Sequence, residues 1–164
     1  MRRSSIFIAL ALAMVTVASA HADEHDALFD SVVIKMCFRD LLRDAAWGLG
    51  GPFERAAFIM EDPDGSISCQ PWPSKHAYLS ERFDGALPIN AVAIVHTHPV
   101  QFPRPSYQDQ LEATRMGVPI YVITIQGVFK AVPRREQITV VSGEHNWFRN
   151  VPTKAASGVA TASP

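Results

Sequence analysis

The chain is short of cysteine and of net charge, and past its N-terminal segment it has no long apolar run. Only two cysteines occur in 164 residues, Cys37 and Cys69, so one disulfide at most can form. A bridge and two buried thiols are both open readings, because sequence separation says nothing about the Cα distance a bridge needs. Fifteen basic residues stand against sixteen acidic ones, which leaves no basic surface to attract nucleic acid. No segment beyond the N-terminus is apolar for long enough to span a bilayer. At this length the chain has room for one domain.

What is present begins with MRRSSIFIALALAMVTVASAHA. Two arginines, an apolar run from Ile6 to Val17 and then small residues make the three-part layout of a secretory signal peptide. Cleavage is expected after Ala20 or Ala22, the two places where a small-x-small pattern ends. Loss of residues 1–22 takes two basic residues and no acidic one, and so moves the net charge to −3. The expected product is an exported domain, periplasmic or secreted, with no stable membrane insertion once the signal is gone. Residues 23–148 form that domain and 149–164 a small, polar, disordered tail.

Helical spacing of apolar residues from Glu24 through Trp47 predicts one amphipathic helix, stopped by Gly48, Gly50, Gly51 and Pro52. The run Ala56 to Met60, the turn signal Asp62-Pro63-Asp64-Gly65 and the stretch Ser66–Gln70 read as a hairpin. A short helix is expected around His76 to Arg82. INAVAIVHTH is a buried strand, Ser106 to Met116 a helix ended by Gly117, and PIYVITI a second buried strand. GVFKAV should pair with it across Gln126-Gly127, and QITVV adds a further strand. The class is therefore α/β, a mixed sheet flanked by the first helix and the Ser106–Met116 helix.

The chemistry concentrates in HTHPVQFPRPSYQD, His96 to Asp109. Residues i and i+2 of a strand share a face, so His96 and His98 can offer both imidazoles to one ion. Zinc accepts two nitrogens and a carboxylate oxygen and keeps a fourth position open. Asp109, one turn into the next helix, would be the third ligand, on a loop stiffened by Pro99, Pro103 and Pro105. Ser106-x-x-Asp109 is also close to a capping box, and the two roles are compatible.

These residues resemble the signature of the JAMM metalloprotease family, H-[ST]-H-P-x6-S-x2-D. His96, Thr97, His98, Pro99, Ser106 and Asp109 all fall in register. Pro52-Phe53-Glu54 followed by Ala56-Ala57-Phe58-Ile59 is similar to the family's catalytic-glutamate context, and the likeness covers roughly residues 26 to 140. It implies the cytidine-deaminase-like JAB/MPN fold and a zinc hydrolase of peptide or isopeptide bonds. His96, His98 and Asp109 would hold Zn²⁺, Glu54 would act as general base and Ser106 would donate to the oxyanion. Glu61 is the rival base, but it stands at the turn end of its strand. The ubiquitin-gripping insertions of eukaryotic relatives have no room here, so the expected partner is another peptide or protein, such as peptidoglycan stem peptides or an exported protein. A metal- or partner-binding domain without catalysis is the alternative.

Overall fold

The computed structural model describes residues 26–49, 53–72 and 85–153. The expected signal peptide, the helix near His76–Arg82 and most of the expected tail lie outside these residues.

The predicted first helix is two helices, α1 (Ala27–Asp30) and α2 (Val32–Asp44), separated at Ser31 by an extended backbone of φ −62° and ψ 126°. No glycine or proline marks this break. Asp26 caps α1 through Phe29 N at 3.1 Å and is itself held by Tyr121 and Lys130, while Phe29 enters the core. Tertiary contacts, rather than helical periodicity, set where this first turn lies. Trp47 also departs from the expectation. It falls in a 3-10 turn, Ala46–Gly48, with φ 61°, and its ring packs on Phe148 with centroids 4.6 Å apart.

Six strands follow: β1 (Ala56–Glu61), β2 (Ile67–Pro71), β3 (Ala91–Thr97), β4 (Ile120–Thr124), β5 (Gly127–Ala131) and β6 (Ile138–Ser142). They form one sheet in the order β2-β1-β3-β4-β5-β6. The β3–β4 pair is parallel and every other pair antiparallel, so the sheet is mixed. Between β3 and β4 the chain crosses over through α3 (Tyr107–Met116), which ends on Gly117 at φ 75°. That left-handed cap is the stop signal glycine supplies without strain.

Strand alternation divides the core between the two faces of the sheet. Val95, Ala57, Tyr121 and Ile123 pack with Phe38, Ile34 and Leu42 of α2. Ile94, Phe58, Ile120 and Ala131 pack with Ala113 of α3. The sheet therefore lies between the two helices that the sequence placed around it.

Cys37 of α2 and Cys69 of β2 are joined in a disulfide, with Cα atoms 6.2 Å apart, which resolves the two open readings. At the other end, Trp147 donates Nε1 to the Thr124 carbonyl at 2.9 Å and Val151 is buried. Arg39 of α2 donates to the carbonyls of Val151 and Pro152. Val151 and Pro152, assigned to the tail by composition, are thus held against α2.

Candidate metal centre

His96 is the penultimate residue of β3 and shares a face with Ile94, toward α3. His98 lies just beyond the strand, yet its N–H still donates to the Ile123 carbonyl of β4 at 3.2 Å. The strand geometry therefore persists long enough to keep the two imidazoles together, with ring centroids 4.7 Å apart and planes at 89°. Across the antiparallel pair, Ala56 stands opposite His96, so the same register brings Glu54 opposite His98. Glu61, the rival base, is exposed at the far end of β1 and does not reach this group.

Four side chains meet here. Glu54 Oε2 lies 3.5 Å from His96 Nδ1, and Glu54 Oε1 lies 4.0 Å from His98 Nε2. Asp109 Oδ1 lies 3.1 Å from His96 Nε2, and Asp109 Oδ2 lies 3.6 Å from His98 Nε2. Glu54, His98 and Asp109 are buried. Donor atoms of Glu54, His96 and His98 all lie within 4.8 Å of one another, a spacing that could hold a metal ion. The expected triple of His96, His98 and Asp109 is present as close pairwise approaches. The group whose donor atoms are all mutually close, however, includes Glu54, which the sequence reading had kept off the metal.

His98 and Asp109 are each fixed from behind. His98 Nδ1 lies 2.8 Å from the carbonyl oxygen of Phe102, which can only accept, so Nδ1 carries the proton and the Nε2 lone pair faces the cluster. The Phe102 turn is closed by its own N–H on the Pro99 carbonyl, and Gln126 holds the Val100 carbonyl at 3.2 Å. Asp109 Oδ2 accepts from Ser106 N at 2.6 Å and from Ser106 Oγ at 2.7 Å, a complete capping box that leaves Oδ1 facing His96. Gly48 presses on this loop from below. A Cβ there would meet the His98 carbonyl oxygen at 3.0 Å, and the backbone φ of 70° is itself a glycine conformation.

His96 carries the most informative contact. Its Nε2 is buried and makes no hydrogen bond among the described residues, although a carboxylate oxygen sits 3.1 Å away. A buried ring nitrogen beside a carboxylate, with His98 and Glu54 close by, belongs to a group whose spacing could hold a metal ion. Without a metal, burial pulls the His96 pKa down, but the carboxylates of Asp109 and Glu54 outweigh burial and raise it to about 10. Burial, then the charge on His96, push His98 below its ordinary value. Burial opposes ionisation of Asp109 too, yet His96 and Ser106 hold it well below the usual carboxylate range.

Sequence reasoning named Glu54, His96, His98, Ser106 and Asp109, and the structure brings all five to one place. It missed Phe102 and Gly48, whose parts are played by a backbone carbonyl and by the lack of a side chain. Neither role leaves a mark in residue identity, although a glycine cluster beside the helix end was visible. Comparison with protein-family models, with curated proteins and with solved structures finds no match for this chain.

Proposed function

We propose that this protein is an exported zinc metallopeptidase of JAMM type, with a JAB/MPN-like fold, acting on peptide or isopeptide bonds. The observation that carries the proposal is the buried meeting of two imidazoles and two carboxylates around a ring nitrogen left without a hydrogen bond. Two nitrogens with carboxylate oxygens are a donor set zinc favours, and softer thiolate ligands are absent because both cysteines are in the disulfide. The disulfide also fits export to an oxidising compartment, periplasmic or extracellular.

His96, His98 and Asp109 would hold the metal. When bound, zinc supplies a Lewis acid that acidifies water and polarises an amide carbonyl. Glu54, opposite His98, accepts the proton of the attacking water and returns it to the leaving nitrogen. Ser106 donates its hydroxyl to the oxyanion. To do so, the hydroxyl hydrogen turns from Asp109 Oδ2 to the oxyanion, while Oγ still accepts from Asp109 N and Ser106 N still donates to Asp109 Oδ2.

The test is to incubate zinc-loaded protein with peptidoglycan fragments and with exported proteins, and to read new termini by mass spectrometry. The proposal expects metal-dependent termini in one pool that vanish in Glu54→Gln. A second reading, a metal-binding domain without catalysis, is favoured by the place of Glu54 beside both histidines in one possible donor group. On that reading Glu54 is itself a ligand, and Glu54→Gln loses zinc instead of turnover.

A further inference from the structure

Thr97, between the two histidines, is fully buried and points away from them, on the Val95 side of the sheet. Its backbone N–H donates to the Arg55 carbonyl at 2.9 Å, as an antiparallel ladder requires. The reciprocal bond is different. In a regular hydrogen-bonded pair the Arg55 N–H would donate to the Thr97 carbonyl. Here it donates to the Thr97 hydroxyl oxygen at 2.9 Å. The other atom of the same peptide plane, the Glu54 carbonyl, accepts from Arg55 Nη1 at 3.2 Å. The peptide that joins Glu54 to Arg55 is therefore held at both its nitrogen and its oxygen.

We infer that Thr97 is a positioning residue: its hydroxyl replaces its own carbonyl in the ladder and thereby sets where Glu54 leaves β1. A side-chain acceptor reaches the Arg55 N–H from a different direction than the strand carbonyl does. The backbone before Ala56 diverges from the ladder by that offset, and the Glu54 carboxylate comes to rest between His96 and His98. Valine has the same shape without the acceptor, and serine keeps the acceptor while giving up a methyl group.

The kinetic part of the test rests on the peptidase reading, and the structural part does not. Thr97→Val and Thr97→Ser are prepared as full-length exported protein, and backbone amide exchange at Arg55 is followed by NMR. In Thr97→Val the Arg55 amide should exchange about tenfold faster, as expected for one lost protecting bond, while Ala57 is unchanged. With a cleaved substrate, kcat should fall by about 10- to 100-fold at unchanged KM, the loss expected for a displaced catalytic group. Zinc content should stay at the parent level, and Thr97→Ser should restore both exchange and kcat. Unchanged exchange at Arg55 in Thr97→Val overturns the inference, as does failure of serine to restore it. If the parent cleaves nothing, the peptidase reading falls, and the exchange data still decide the role of Thr97.

Discussion

Two buried clusters of charged groups lie on opposite faces of one sheet, and they are built in opposite ways. On the α2 face, Asp26 accepts from Lys130 Nζ at 2.6 Å, from Tyr121 Oη at 2.8 Å and from Phe29 N at 3.1 Å. Every group there has its partner, and the cluster caps a helix. On the α3 face, two carboxylates crowd two imidazoles and one ring nitrogen still has no hydrogen bond. Unsatisfied buried polar atoms are rare in native proteins, so a poorly aligned ring nitrogen among possible ligands marks this cluster as a candidate metal site. The first cluster holds a helix end in place; the second has a donor spacing that could hold a metal ion.

The largest effects should come from the α3 face. His98→Ala and Asp109→Ala are expected to lose both zinc and hydrolysis, because three protein ligands are the minimum for a catalytic zinc site. Glu54→Gln should keep about one zinc per chain and lose turnover by about 10²- to 10⁴-fold, the span typical of acid–base groups. Metal analysis beside kinetics separates the two patterns, and equal loss of zinc in all three variants would make Glu54 a ligand.

On the α2 face the same kind of change should act on stability alone. Asp26→Ala leaves Lys130 and Tyr121 without their acceptor and should cost about 3–5 kcal/mol, as breaking a buried pair does. Denaturant unfolding measures the loss, and zinc content should not move. Were Asp26→Ala to strip the metal, the two faces would not be independent.

The Cys37–Cys69 bridge closes a separation of 32 residues and should contribute about 2–4 kcal/mol. The double variant Cys37→Ser/Cys69→Ser is expected to unfold at lower denaturant with its metal site intact. Stability unchanged on removing the bridge would show that α2 and β2 hold together without it.

The smallest effect is the pH dependence of the metal-free protein. The folded pKa of His96 lies above its ordinary 6.5, so its charged pairing contributes fully below that value and is lost as pH rises through about 10. The folded pKa of Asp109 lies below its ordinary 3.8, so its contribution is present above that value and is lost as pH falls. Metal-free protein should be most stable between those two ordinary values, and zinc should flatten the alkaline limb by replacing the His96 proton. Unfolding curves at several pH values, with and without zinc, give the comparison.

The α3 face was far more legible in the sequence than the α2 face. His96, His98, Ser106 and Asp109 sit on one strand–loop–helix unit, so strand alternation and a capping pattern were enough to place them. Glu54 required a strand pairing that residue patterns alone did not give, and it was named only through the resemblance of its sequence context. The α2 face depended on contacts distant in sequence. Asp26 meets Tyr121 and Lys130 across about a hundred residues, and that contact broke a helix whose periodicity ran unbroken through Ser31. The Phe102 carbonyl and the Thr97 hydroxyl were illegible for another reason: each acts through a hydrogen bond whose partner only the folded backbone brings near.

Zinc titration of the metal-free protein by calorimetry, repeated in buffers of different ionisation enthalpy, tests the metal-centre claim most directly. The account predicts saturable binding of about one zinc per chain, with release of about one proton at neutral pH as the His96 nitrogen gives up its hydrogen to become a ligand. Binding should be abolished in His98→Ala. No saturable binding in the parent, or binding undiminished in His98→Ala, would contradict it.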